Sequence, residues 1–319
     1  MRWALGLVAV LALGGAARGE DAAAPELVVR PGELIDAKIE KTPARLLVAS
    51  GRVDRLTLAE AFVAKIGVKP GLLFGKSVLS VAGRQEFNGY NRPLNVSIGG
   101  ISRKSRAFWL IGAAIPADGQ IGPWSLPQTR VTFRLRPSDA GMSVLQVPLL
   151  GSADTQSLTV FSEQGYSMGV LFDLDSDGAM PVASAAAGAA IAKNHGGTLS
   201  GASWDVEILF GVTRPVRLMT LQQPLVMGPL RFTRIAVPVR DRFDSSGAGD
   251  NIREADDTDD PSEIVVQAGR KGPRPIFSFS IPRASLAACS RLTFDKASRK
   301  IELLCPAADA TAASATNGY

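Results

Sequence analysis

One order of elements is written twice in this chain: an apolar strand, a turn of small residues, a short helix, then a glycine-marked strand pair. The first passage is Leu46-Leu-Val-Ala49-Ser50-Gly51-Arg-Val-Asp-Arg-Leu56. The second is Val170-Leu-Phe-Asp-Leu-Asp175-Ser176-Asp177-Gly-Ala-Met-Pro-Val182. Setting Ala49 over Asp175 brings Leu56 over Val182 without a gap. Downstream, Ile98-Gly99-Gly100 with a strand at Ala107 answers to Met227-Gly228-Pro229-Leu230 with a strand at Ile235. Gln120-Ile121-Gly122 ahead of Val131-Thr-Phe133 then answers to Ile276-Phe277-Ser278 ahead of Leu292-Thr-Phe294. A recurrence of this span implies two homologous units. We divide the chain near residue 150, into an N-terminal lobe over 20–150 and a C-terminal lobe over 151–306.

The units read as mainly β. Apolar runs at Leu94–Ile98, Ala107–Ile111, Val131–Leu135, Leu158–Phe161, Val170–Phe172, Val206–Phe210 and Ile235–Val239 alternate with polar residues and stop at Gly, Pro or Asp, which is the strand signature. The 32 Gly and 20 Pro suit many turns and short strands. Leu58–Ile66 and Ala183–Lys193 are alanine-rich and free of proline, so one short helix is expected in each unit.

The ends and the compartment follow from other features. Arg2, the apolar run Ala4–Ala17 and the small residues around Ala17-Arg18-Gly19 give residues 1–19 the form of a secretory signal. No later stretch reaches the ~18 apolar residues of a membrane span. The mature protein is therefore expected outside the cytoplasm, periplasmic or secreted, with no integral membrane segment. Residues 307–319 lack large apolar groups and are expected to fray. Cys289 and Cys305 flank two strand-like runs centred on Ala297. An antiparallel hairpin would set them opposite each other, for a disulfide in an oxidising space or a pair of free thiols. With one histidine, two cysteines and a formal net charge of +5, neither a multi-histidine metal centre nor a nucleic-acid surface is expected. No cofactor is required.

The succession of strand, small-residue turn, helix, glycine-rich strand pair and apolar-apolar-Gly resembles one lobe of a pepsin or retropepsin-like aspartic peptidase. The resemblance spans roughly residues 40–305. It implies a two-lobed acid-protease-like fold, each lobe a β-barrel-like unit with one short helix. In that family the turn reads Asp-Thr/Ser-Gly, and each lobe gives one carboxylate to a shared site. Two carboxylates ~3 Å apart share a proton, and the pair activates a water. Here the first turn is Ala49-Ser50-Gly51 and the second is Asp175-Ser176-Asp177. The first has a methyl group where an acid belongs, and Asp177 stands where glycine belongs. Asp54, the acid nearest the first turn, is expected to cap the following helix. Asp175 is thus the candidate catalytic acid, without its partner.

Three further motifs compete. Asp173-Leu-Asp175-Ser-Asp177-Gly178 opens like a calcium loop, but Ser184 stands at its twelfth position where glutamate is needed. Gly165-Tyr-Ser167-Met-Gly169, with His195 downstream, matches a serine nucleophile elbow in spelling, although a strand continues through it. Asp244–Glu263 holds eight acids against Arg253 alone, and is expected to be a solvated insertion. The leading expectation is a degenerate peptidase-like cleft that binds an extended polypeptide. Its rivals are an active endopeptidase using Asp175 with an acid not yet placed, and a structural envelope or surface component.

Overall fold

The computed structural model describes residues 26–52, 54–70, 75–81, 85–152, 155–238, 240–241, 265–266 and 277–307. The expected signal segment 1–19, the acidic stretch 244–263 and most of the tail lie outside the described residues. The first half runs β1 (Glu26–Val29), β2 (Leu34–Ile39), β3 (Thr42–Val48), β4 (Leu56–Leu58), α1 (Glu60–Ile66), β5 (Lys76–Val81), β6 (Gln85–Ile98), β7 (Ile101–Leu110), β8 (Gly119–Ile121), β9 (Arg130–Arg134) and β10 (Met142–Pro148). The second runs β11 (Thr159–Glu163), β12 (Tyr166–Asp173), β13 (Val182–Ala183), α2 (Ala185–His195), β14 (Gly197–Leu209), β15 (Val212–Met227), β16 (Leu230–Pro238), β17 (Arg240–Asp241), β18 (Val265–Val266), β19 (Ser278–Pro282), β20 (Arg291–Asp295) and β21 (Lys300–Pro306).

The molecule is mainly β and two-lobed. One seven-stranded sheet has the order β2-β3-β8-β4-β7-β6-β5, and the other has β11-β12-β19-β13-β16-β15-β14. Read across, the two orders match strand for strand. The first closes on itself through Ala37–Ile39 of β2 against Val96–Ile98 of β6, so its lobe is a small barrel. Alternation builds these walls: β2 buries every second residue, and β6 does so along most of its length.

A third sheet, β1-β9-β20-β21-β10, joins strands from both ends of the chain. At its centre β9 and β20 pair antiparallel, with Thr132 opposite Thr293 and Phe133 opposite Leu292. The threonine hydroxyls lie 2.7 Å apart and the Phe133 and Phe294 rings meet edge-on. Thr132 and Thr293 are matched positions of the repeat, so the pair marks an approximate two-fold axis. Cys289 and Cys305 form a disulfide beside this sheet, and β21 pairs with β20.

Both helices start later than their alanine content suggests. Leu58 belongs to β4, opposite Gly119, and Ala183 to β13, opposite Phe279. Each is fully buried in a strand ladder before the helix begins. Ser184 caps α2 by accepting from the Ala187 N–H, and Gly196 ends it in the left-handed conformation. A Cβ at Gly188 would lie 2.4 Å from Val237, so glycine lets α2 approach the sheet. No described helix is long and apolar enough to cross a membrane.

Candidate functional site

Strand register decides which residues face each other at the centre. In the first lobe Val48 lies beside Ile121, and in the second Phe172 lies beside Ile281. Ile121-Gly-Pro-Trp-Ser-Leu126 and Ile281-Pro-Arg-Ala-Ser-Leu286 are the matching segments, with both leucines fully buried. The residue beyond Val48 is Ala49, and the residue beyond Phe172 is Asp173. The register therefore sets Ala49 against Asp173, two residues from the gapless alignment with Asp175. The slip of two has two parts: Thr57, not Leu56, answers to Val182, and the run from Asp173 to Val182 is one residue longer than that from Ala49 to Thr57. Val182 pairs with Ser280, as Thr57 pairs with Gln120. By the same register Pro282, not Ser278, stands at the position of Gly122.

The two turns hold each other directly, but unequally. The Ser50 hydroxyl donates to the Phe172 carbonyl at 2.8 Å and accepts from the Leu174 N–H at 3.2 Å. Leu174 occupies the position of Ser50 in the second lobe, and a buried leucine has nothing to return. Gly51 packs so closely that a Cβ would lie 2.6 Å from the Phe172 carbonyl. Its φ of +72° also favours glycine. The Ser50 N–H donates to Asp175 Oδ2 at 3.2 Å. Ala49, Ser50, Gly51 and Asp175 are thus brought together. Ser176 follows them with its N–H on the Asp173 carbonyl, whereas the Asp177 side chain is exposed.

Arg52 completes the arrangement. Its Nε lies 3.5 Å from Asp173 Oδ1, and its Nη1 lies 3.2 Å from Glu207 Oε1 on β14. The Arg52 and Asp173 side chains are 14% and 11% exposed, against 45% for Glu207. Burial works against the Arg52 charge, but Asp173, Glu207 and Asp175 outweigh it and raise the guanidinium pKa. Burial also raises the Asp173 carboxyl, opposed chiefly by Arg52. Asp175 is pushed up to about 7, first by burial and then by the Asp173 charge. Its Oδ1 is buried with no hydrogen-bond partner among the described residues. A pair of neighbouring acids therefore exists, but both belong to the second lobe.

A cavity of about 310 Å³ opens beside this pair, with Gly51, Asp173, Glu207, Ile208, Arg214 and Val216 in its wall. Next to it, around Ile208, the hairpins of the two lobes touch. Val81, Phe87 and Leu110 pack with Leu209, Phe210 and Val212, and the Phe87 and Phe210 rings meet edge-on at 6.2 Å. A larger cavity of about 530 Å³ lies elsewhere, among Lys38, Arg45 and Asp118 on the first lobe.

Asp54 does not cap a helix. The α1 helix begins at Glu60, with Ala59 as its uncapped N-cap. Asp54 is 1% exposed and accepts from the Ser157 hydroxyl at 2.7 Å and the Trp124 N–H at 3.4 Å. Burial raises its carboxyl to about 7, against those hydrogen bonds and the Lys296 charge. A Cβ at Gly122 would sit 2.0 Å from its Oδ1, so this glycine makes room for the acid. Ser167 lies within β12 with its hydroxyl on Ser162, and His195 bonds Glu163. Those contacts assemble no serine–histidine couple. Ser184 is the α2 cap, and no group of three His, Cys, Asp or Glu side chains is placed to hold a metal ion among the described residues.

Reading the residues alone missed Asp173, Arg52 and Glu207 as site residues. The echo of Ile121–Leu126 in Ile281–Leu286 was the available signal for Asp173. Glu207 arrives from a distant hairpin, and no local pattern marks it.

No family model matches the chain, and no curated protein matches it in sequence. Among solved structures, it is similar to an EIAV protease complexed with the inhibitor HBY-793. The match is 19% identical, covers 30% of this chain and 82% of that one, and has a TM-score of 0.24.

Proposed function

We propose that this is an exported aspartic-peptidase-like protein that has lost hydrolysis and binds an extended polypeptide across the cleft between its lobes. The observation that carries the reading is the ion pair of Arg52 with Asp173, opposite the methyl group of Ala49. Acid-peptidase chemistry needs two carboxylates from opposite lobes sharing one proton around a water. Here the first turn brings only a methyl group and a guanidinium, and that guanidinium already pairs with Asp173 of the second, so no such couple is offered. Binding survives this loss, because an extended segment adds hydrogen bonds at strand edges without help from the acids. β14 ends its sheet and supplies such an edge beside the cavity. Export is supported by the form of residues 1–19 and by the Cys289–Cys305 disulfide. The division into 20–150 and 151–306 is supported by the matched sheet orders.

One observation favours a second reading, an active endopeptidase. Asp175 sits beside Asp173 and is raised to about 7, so a neighbouring acid is present. That reading requires acid-dependent cleavage which Asp173→Asn or Asp175→Asn removes.

The binding reading is tested by amide hydrogen exchange on the full chain, with and without an excess of an unstructured extended peptide. Protection confined to β14 and the segments 49–52 and 173–176 is the expected result. Unchanged exchange throughout would count against a binding cleft.

A further inference from the structure

We propose that the bound polypeptide seats one uncharged side chain, ending in an amide or a hydroxyl, in the cavity of the second lobe, while the matching place in the first lobe is filled by the protein itself. The proposal rests on the polypeptide-binding reading and adds to it the seat and class of one side chain. Both lobes carry the same row of residues across corresponding strands. In the first lobe the row is Leu47, Gln120, Thr57 and Phe108. In the second it is Leu171, Ser280, Val182 and Ala236. The leucines are identical, and threonine and valine have nearly the same shape. The other two pairs differ in volume. Gln120 and Phe108 are 1% and 8% exposed, and Arg55 lies over the Phe108 ring at 4.6 Å, so the first lobe fills this place from within. Where they stand, the second lobe has Ser280 and Ala236, and a cavity of about 310 Å³ is open along the row at Leu171, Val182 and Ser280.

The wall sets the chemistry of the occupant. Phe279 and Ile281 are fully buried in the core, so Ser278 and Ser280, which alternate with them along β19, turn towards the cavity. The hydroxyls of these two serines make no hydrogen bond among the described residues. The Ser184 hydroxyl, by contrast, is engaged: it accepts from the Ala187 and Ser278 N–H groups. Leu171, Val182 and Val216 offer an apolar surface to the stem of a side chain. A charged end would find its counter-charges already taken. Asp173 and Glu207 share the guanidinium of Arg52, and Arg214 has an interaction of its own. Burying a charge without a partner is costly, whereas an amide or a hydroxyl can meet the two serines. Arg52 stays where it is.

The test uses the full chain and four labelled peptides in one alanine–serine frame, with glutamine, norleucine, lysine or glutamate at the centre. Fluorescence anisotropy should find the glutamine peptide about threefold tighter than norleucine, and at least about tenfold tighter than lysine or glutamate. Ser280→Ala keeps the space and removes a hydroxyl, so it should bring glutamine and norleucine to within about twofold. Ser280→Gln gives the second lobe the residue of the first. In a chain that urea unfolding shows to be folded, it should weaken the glutamine peptide by about tenfold or more. Gln120→Ser in the first lobe should leave the glutamine preference within about twofold, because Phe108 still fills its place. A lysine or glutamate peptide binding as tightly as glutamine, or glutamine binding no better than norleucine, would overturn the assigned class. A folded Ser280→Gln chain that binds like the native one, or a preference that shifts with Gln120→Ser, would overturn the assigned seat. Either result leaves the cleft reading standing. If none of the four peptides binds and none protects cleft amides, the polypeptide-binding reading fails and the assignment falls with it.

Discussion

The turn at 49–52 and the turn at 173–176 occupy matched places in matched sheets, yet they do opposite work. The first contributes no acid. It supplies a hydroxyl that grips the other lobe's backbone, a glycine that allows close approach, and a cation. The second supplies two acids, which take the Ser50 N–H and the Arg52 guanidinium, and a leucine whose side chain has no hydroxyl to return. A duplicated fold keeps its junction as long as one side can hold the other. Its chemistry needs both sides. Here the hydroxyl grip, the close-packed glycine and the cation lie on one turn, and the acids lie on the other.

Substitutions at these turns would break or sharpen the contrast. The largest expected effect is that of Arg52→Met, which leaves Asp173 buried without its cation and should cost about 4 kcal/mol near neutral pH in urea unfolding. The loss should shrink in acid as Asp173 takes up a proton. Leu174→Ala should cost about 3 kcal/mol, because the second turn holds its place by packing. Ser50→Ala should cost about 2 kcal/mol by leaving the Phe172 carbonyl and the Leu174 N–H without their partner. If Ser50→Ala proves harmless while Leu174→Ala is severe, the one-sided grip is not what joins the turns.

The mildest test concerns pH. Asp54 in the first lobe and Asp175 in the second are both raised to about 7, above the ordinary carboxyl value of 3.8. The folded state then binds a proton more tightly than the unfolded chain. The stability each group contributes is fully present below about pH 4, and is lost as pH rises through about 7. Asp54→Asn and Asp175→Asn should each flatten the stability profile, by about 1 kcal/mol for each pH unit between 5 and 7. A profile that falls towards acid in that window would contradict both assignments.

Much of this was legible in the residues. The alternation of Leu94–Ile98 in β6, the paired helices and the cysteines about Ala297 follow from local pattern, whereas β1 and β2 were not picked out. The long hairpin arms were not. β14 is exposed over most of its length, so Gly197-Thr-Leu-Ser-Gly-Ala-Ser-Trp shows no apolar alternation to read. Nor was the register of the second turn. Asp173 and Asp175 lie two apart and are chemically alike, so only the pairing of Phe172 with Ile281 decides between them. Arg52 stood in view next to Gly51, but its meaning depends on Glu207, more than 100 residues away.

The account rests on the lack of a shared proton across the lobes, and acid proteolysis tests that most directly. The purified full chain would be incubated with an unfolded protein substrate at about pH 3–5, where acid peptidases work, and fragments read by mass spectrometry. The account predicts no cleavage above that of the matched Asp175→Ala and Asp173→Asn variants. Cleavage by the native chain that either variant abolishes would contradict it, and would make the acids of the second lobe a working pair.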